Sequence, residues 1–121
     1  MNIYKNFINK KSSNQINKTL LSDDFPWYYK PHQVLTSKKN SSFMSHTFVA
    51  DGRINSDYMY LVEPILDKLK PKKILNIRAN LCLKRPSSCD WHVDRFTDDL
   101  THKTAIYYVN SNNGYTEFKN K

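Results

Sequence analysis

An alternating run of apolar and polar residues over Lys73–Lys84 constrains the fold of this chain more than any other stretch. The apolar members are Leu75, Ile77, Ala79, Leu81 and Leu83, and the polar members between them are Asn76, Arg78, Asn80 and Cys82. Because successive side chains of a β-strand point to opposite faces, this pattern predicts a strand. Its apolar face must pack against another element, and its polar face must look into water or into a ligand pocket.

A helix is predicted just before this strand, over Ser56–Lys70. Large apolar side chains recur there at the spacing of one helical face, at Tyr58, Leu61, Val62, Ile65, Leu66 and Leu69. Asn55 or Ser56 can cap its first amides, and Pro71 stops it. Pro64 lacks a backbone donor and should kink it. We expect this helix to buttress a sheet.

The rest of the chain contains several shorter predicted elements. They are an opening strand at Ile3–Phe7, a helix at Lys10–Leu21, a strand at Ser41–Ala50 followed by an Asp51-Gly52 turn, a strand at Lys103–Asn110 followed by a turn at Ser111–Gly114, and a returning strand from Tyr115 to Phe118. Polar stretches at 31–42, 86–90 and 97–102 are predicted loops. Together these elements predict an α+β fold.

The candidate metal ligands lie in the run Trp91-His92-Val93-Asp94. A strand is predicted here, so His92 and Asp94, two positions apart, should project from the same face. An imidazole beside a carboxylate supplies two of the three protein ligands of a 2-His-1-carboxylate iron(II) site, which leaves positions open for substrate chemistry. Trp91 and Val93 point the other way and are expected to pack. A His-x-Asp pair also occurs as an ordinary surface polar pair.

Two further features have a structural as well as a functional interpretation. His46, on a predicted strand, could line a pocket, although a lone strand histidine is more often hydrogen-bonded within the fold. The aromatic run Phe25-Pro26-Trp27-Tyr28-Tyr29 favours core packing over a base-stacking surface, since stacking surfaces carry interleaved basic residues.

From Asn76 to Phe118 the chain resembles the first half of the catalytic domain of the iron(II)/2-oxoglutarate-dependent dioxygenases. The motifs are the H-x-D pair at His92 and Asp94, the strand IYYVN, and the turn and strand NNGYTEF behind it. Upstream, LLSDDFPWYY, SHTFVADGRINS and PILDKL resemble the segment that precedes the core in prolyl-hydroxylase-like members of the phage type. The resemblance therefore spans nearly the whole chain.

This resemblance implies a fold and a set of ligands. The fold is the N-terminal part of a double-stranded β-helix (jelly roll) with one or two buttressing helices, in a single domain, with 1–71 as support and 72–121 as the first core strands. Fe(II) would be held by His92 and Asp94, and the cosubstrate 2-oxoglutarate would contact Tyr108 and Asn80. O₂ is the oxidant, and ascorbate is a further candidate cofactor. The implied reaction couples oxidative decarboxylation of 2-oxoglutarate to hydroxylation of a protein or small-molecule substrate.

The chain departs from the family pattern after Asp94. The family's second histidine and its 2-oxoglutarate-anchoring arginine lie further along than Lys121, so an incomplete domain or a degenerate relative is expected. His102 is the remaining histidine nearby, but a loop histidine this close does not match the family's distant ligand. The 121-residue chain alone is expected to bind iron weakly and to show little or no catalysis.

Composition bounds the partners and the compartment. A formal charge of +8, from 19 basic and 11 acidic residues, favours anionic partners. The alternative function is a small basic α+β module that binds nucleic acid or has a structural role without catalysis. The lysines are dispersed along the chain, which argues against this alternative. The two cysteines lack Cys-x-x-Cys spacing, which disfavours a thiolate zinc site. Without a signal peptide or a long apolar run, the chain is predicted to be soluble, cytoplasmic and free of a membrane partner.

Overall fold

The computed structural model describes residues 1–32, 42–83, 90–93 and 101–119. In chain order its elements are helix α1 (Lys10–Leu20), strands β1 (Tyr28–Lys30), β2 (Phe43–Ala50) and β3 (Arg53–Ile54), a 3₁₀ helix (Met59–Leu61), helix α2 (Glu63–Leu69) and strand β4 (Ile77–Leu81). Helices combined with an antiparallel sheet confirm the predicted α+β class. None of the helices in these ranges is long and apolar enough to cross a membrane.

Strand β2 is the centre of the sheet, and each of the other strands pairs with it in antiparallel orientation. Ser45 lies opposite Tyr28 of β1 and also opposite Asn80 of β4, so these two strands flank β2 on opposite sides. Strand β3 pairs with the other end of β2. The strand predicted at Ser41–Ala50 is therefore the central one, and Ser41 itself lies outside the described residues.

A β-bulge interrupts the pairing of β2 with β4 at Phe48. The register passes from Thr47 opposite Arg78 to Val49 opposite Ile77, which leaves Phe48 as the extra residue. Phe48 and Val49 are nevertheless both buried, although neighbours on a regular strand would face opposite ways. The bulge thus places two consecutive large side chains in the core.

The predicted turn at Asp51-Gly52 is confirmed as the connection between β2 and β3. Asp51 has φ 48° and Gly52 has φ 77°, so both central residues occupy the left-handed region that a two-residue hairpin of type I′ requires. The amide of Gly52 donates to the carbonyl of Leu75 at 2.8 Å. The hairpin is therefore also fastened to the segment that leads into β4.

Replacing Gly52 with alanine is expected to destabilise the protein by about 1 kcal/mol, because an L-residue is strained at positive φ. A Cβ at this position would lie 3.5 Å from the carbonyl oxygen of Ile74, an ordinary contact, so the cost comes from the backbone conformation alone. Thermal unfolding measures the effect. The control is Asp51→Asn, since asparagine tolerates the same region; equal stability of the Gly52→Ala protein and the wild type would contradict the assigned turn.

The hydrophobic core lies between β2, helix α1 and the 3₁₀ helix. Its buried members are Ile8, Ile16, Leu20, Phe25, Phe48, Val49 and Leu61. Helix α1 contributes Ile16 and Leu20, which are four residues apart and therefore share a face. The side-chain oxygen of Asn9 accepts the amide of Ser12 at 2.8 Å and caps this helix, which begins at Lys10 as predicted.

The single helix predicted at Ser56–Lys70 is wrong in extent. The structure divides the stretch into the 3₁₀ helix and α2, which meet at Val62. Pro64 accounts for the division: it lies in the first turn of α2, where its missing N–H has no intrahelical acceptor. Only Leu61 of this stretch is fully buried, and α2 contains no buried residue, so the buttress is the 3₁₀ turn rather than a long helix.

Several predicted strands are shorter than expected or absent from the described residues. The strand predicted at Lys73–Lys84 extends from Ile77 to Leu81, and Lys84 lies outside the described residues. No strand forms at 3–7, 91–93, 103–110 or 115–118. The C-terminal segment instead docks on α1: the Tyr107 hydroxyl donates to Ser13 Oγ at 3.0 Å, and Asn17 Nδ2 donates to the Val109 carbonyl at 3.2 Å. The Asn17 side chain thus bonds to the Val109 carbonyl, a backbone group that a strand ladder would otherwise use.

Candidate functional site

His92 lies on the exposed segment 90–93. Its Nδ1 is 2.9 Å from the backbone carbonyl oxygen of Asp90. A carbonyl oxygen can only accept, so Nδ1 carries the hydrogen and, in the neutral ring, Nε2 carries the lone pair. The imidazole is therefore held in one orientation and in one tautomer by its own main chain.

The expected packing of Trp91 and Val93 is wrong. Both side chains are exposed, Trp91 to 58% and Val93 to 56%. The segment 90–93, which carries His92, belongs to no sheet among the described residues, so no neighbouring strand in those ranges covers either side of it. Asp94, the predicted second ligand, lies outside the described residues, as does Cys89.

Tyr108, the predicted cosubstrate contact, projects away from α1. Its neighbours Tyr107 and Val109 are the residues bonded to that helix, and both are partly buried, whereas Tyr108 between them is exposed. The Tyr108 ring is 53% exposed, and its hydroxyl shares a hydrogen bond of 2.8 Å with Thr116 Oγ1. The residue is therefore exposed, and its hydroxyl has a neutral partner.

Asn80, the other predicted cosubstrate contact, lies exposed on β4 opposite Ser45. Arg78 lies two residues earlier on the same face of the strand, and its guanidinium carbon is 5.5 Å from the centre of the Phe43 ring. This face is the polar one that the alternation predicts. The alternation of the sequence predicts that Arg78 lies on this face, but it does not indicate a functional role for the positive charge of Arg78.

No cluster of three or more His, Cys, Asp or Glu side chains suited to a metal ion occurs within residues 1–32, 42–83, 90–93 and 101–119. His102 is partly buried and Asn80 belongs to the sheet, whereas His92 and Tyr108 lie on segments outside it. Within these ranges, therefore, the predicted site residues lie on separate segments. Of the two predicted metal ligands, His92 is the one that these ranges include.

A second polar cluster, which the sequence did not predict, surrounds His46. This residue of β2 is only 6% exposed. Its Nδ1 lies 2.9 Å from the Pro26 carbonyl oxygen, and its Nε2 lies 2.6 Å from Ser56 Oγ. Both ring nitrogens are therefore bonded. The partners are 20 and 10 residues away along the chain, so no local spacing could have identified them.

Comparison of the chain with family models, with curated proteins and with solved structures finds no match.

Proposed function

We propose that this chain carries the metal-binding and cosubstrate-binding part of an Fe(II)- and 2-oxoglutarate-dependent dioxygenase built on a jelly roll. The observation that carries the proposal is the hydrogen bond from His92 Nδ1–H to the Asp90 carbonyl. Metal-bound histidines almost always donate their second ring N–H to a carbonyl, a carboxylate or water, which fixes the tautomer and the ring plane. His92 has this arrangement, and it stands in the H-x-D motif of the family that the chain resembles.

The donor set suits iron(II). A neutral imidazole nitrogen at His92 and a carboxylate at Asp94 are the ligand types of the facial triad, which leaves several coordination positions for other molecules. When bound, Fe(II) would supply the electrons that reduce O₂ during the oxidative decarboxylation of 2-oxoglutarate. The role of the Asp90 carbonyl is to keep the His92 proton on Nδ1, so that Nε2 stays a lone-pair donor.

The cosubstrate is a dicarboxylate, and the polar groups nearest the predicted contacts suit it. The Tyr108 hydroxyl can exchange its neutral partner, the Thr116 hydroxyl, for a charged oxygen, which accepts a stronger hydrogen bond. On β4, the Asn80 amide and the Arg78 guanidinium share one face and offer N–H donors without a carboxylate between them. These residues bind and orient 2-oxoglutarate in the proposed function.

The antiparallel arrangement of β1, β2 and β4 supports the jelly-roll assignment, since double-stranded β-helices are built from antiparallel strands. In the proposed jelly roll, the polar face of β4, with Arg78 and Asn80, would line the interior. In the proposed jelly roll, the segment with Tyr107 and Val109, which here docks on α1, would take the place of the strand that carries the family's cosubstrate tyrosine, Tyr108 in this chain.

The test uses Mn(II), which prefers the same nitrogen and oxygen ligands and broadens nearby amide signals in NMR spectra. In the presence of 2-oxoglutarate, we expect Mn(II) to broaden the amides of residues 90–93 first. Replacing His92 with alanine should weaken Mn(II) binding at least about tenfold, because loss of even an outer-shell partner of a metal ligand has effects of that size.

The matched control is His32→Ala, which removes an exposed histidine outside the proposed site and should leave the broadening unchanged. Asp94→Ala should weaken Mn(II) binding as His92→Ala does. Broadening that persists in the His92→Ala protein, or that is centred on other residues in the wild type, would exclude the proposed metal site.

A further inference from the structure

The directions of the hydrogen bonds around His46 are determined by their partners. The Pro26 carbonyl can only accept, so Nδ1 carries a hydrogen and, in the neutral ring, Nε2 carries the lone pair. With the ring in this neutral form, Ser56 Oγ, 2.6 Å from Nε2, is the donor. The hydroxyl proton of Ser56 therefore points at an imidazole base whose other side is held by a carbonyl.

The imidazole of His46 is enclosed by aromatic rings. Ring centroids lie at 4.5 Å for Phe25, 4.9 Å for Phe48, 5.7 Å for Tyr58 and 6.5 Å for Tyr28. This enclosure leaves His46 only 6% exposed. Nε2 therefore has Ser56, rather than water, as its hydrogen-bond donor.

Ser56 itself is more accessible than the histidine, since it is only partly buried in the turn between β3 and the 3₁₀ helix. Its Oγ also accepts the backbone amide of Tyr58 at 3.0 Å. An amide donor favours negative charge on the oxygen, so it stabilises Oγ as its proton moves toward Nε2. One oxygen thus has a base for its proton and a donor for its developing charge.

We propose that Ser56 is a nucleophile activated by His46, with the Pro26 carbonyl as the orienting third group. A nucleophile within hydrogen-bond reach of a base that is itself oriented by another acceptor is the arrangement of covalent catalysis. The substrate class is a small activated ester, whose acyl group would be transferred to Oγ. This inference does not depend on the metal site at His92.

The reaction balances without a further reagent. Ser56 Oγ bonds to the acyl carbon as its proton passes to His46 Nε2, the bond from that carbon to the leaving oxygen breaks, and the proton leaves with the alcohol. Water then attacks the acyl-serine, giving up a proton through Nε2, and the carboxylic acid and the free serine are released. No electron is transferred at any stage.

Ser22 provides an internal comparison. It is exposed, and its Oγ donates to the carbonyl of Thr19 at 2.8 Å, so its proton faces an acceptor that is not a base. If the His46–Ser56 contact only stabilises the fold, Ser56 should react no faster than Ser22. If His46 acts as a general base, reaction at Ser56 should be about a hundredfold faster, the lower end of what general-base catalysis contributes.

The experiment treats the full chain with diisopropyl fluorophosphate and locates the modified residue by peptide mass spectrometry. In the reaction with this probe, Ser56 Oγ bonds to the phosphorus atom, and fluoride leaves together with the proton of the serine hydroxyl. We expect modification at Ser56, with Ser22 unmodified over the same period. Absence of modification at Ser56 in the folded wild type, or equal rates at Ser56 and Ser22, would overturn the proposal.

Two further measurements separate reactivity from folding. Ser56→Ala should abolish the modification while Ser22→Ala leaves it unchanged, with circular dichroism reporting the fold of each. Nitrogen-15 NMR of the histidine ring should show the hydrogen on Nδ1 of His46. A ring that carries its hydrogen on Nε2 could not accept the serine proton, and that result would overturn the proposal without any variant.

Discussion

Replacing Phe48 with alanine is expected to lower the free energy of unfolding by about 3–5 kcal/mol, the range for large aromatic side chains removed from a core. Phe48 is 2% exposed, and its ring stacks edge-on against His46 with 4.9 Å between centroids. It is also the bulged residue of the central strand. Because the free energy of unfolding of a small domain is only about 5–15 kcal/mol, this loss is a large share of the total stability. Urea unfolding followed by tryptophan fluorescence measures it.

The matched control is Tyr29→Ala on β1. Tyr29 is also a large aromatic residue of the sheet, but it is 65% exposed, so its removal creates no cavity. Surface substitutions of this kind change stability by about 0.5 kcal/mol or less. If Phe48→Ala and Tyr29→Ala have the same midpoint of unfolding, Phe48 is not the core residue that the bulge places inside.

Elements that depend on local signals could be predicted from the sequence. Helix α1 begins where Asn9 offers a cap and buries Ile16 and Leu20 on one face, all within a dozen residues. The hairpin at Asp51-Gly52 follows from the two residue types that tolerate positive φ. In both cases the determining contacts lie close together in the chain, which is why the pattern was sufficient.

Elements that depend on distant contacts could not be predicted in this way. The apolar spacing of Ser56–Lys70 indicated one helix, but burial of Leu61 against the core and the position of Pro64 divide it. The alternation at Lys103–Asn110 indicated a strand, but Tyr107 and Val109 bond to a helix more than 90 residues earlier, at separations of 94 and 92. The pattern predicts which faces are apolar, not which element covers them.

The candidate sites show the same division. The H-x-D spacing identified His92, but the hydrogen bond that fixes its tautomer comes from a main-chain carbonyl, which has no sequence signature. His46 could be placed on a strand, whereas its partners Pro26 and Ser56 come from two other segments. Ring orientation and protonation at a site are therefore properties of the fold, even where the residue type is visible in the sequence.

Replacing His46 with alanine is the second large expected effect, with a loss of about 2–5 kcal/mol in the free energy of unfolding. The change leaves the Pro26 carbonyl and the Ser56 hydroxyl without their partner, and because both are only partly buried, each costs toward the lower end of the about 1–3 kcal/mol of an unsatisfied buried group. It also removes a ring that contacts Phe25, Phe48 and Tyr58. Chemical denaturation measures the loss. His32→Ala, on the exposed surface, should have almost no effect.

A double-mutant cycle separates the hydrogen bond of His46 with Ser56 from the packing of the ring. Ser56→Ala alone removes the hydroxyl and its hydrogen bond with the Tyr58 amide, which should cost about 1 kcal/mol. In the double variant the hydroxyl is no longer present to be left unsatisfied, so the two losses should be less than additive by about 1 kcal/mol. Strict additivity would mean that the 2.6 Å contact contributes nothing in solution, and it would also remove the basis for activation of Ser56. A coupling energy between His46 and Ser56, together with none between His46 and Ser22, therefore links the stability of this cluster to its proposed reactivity.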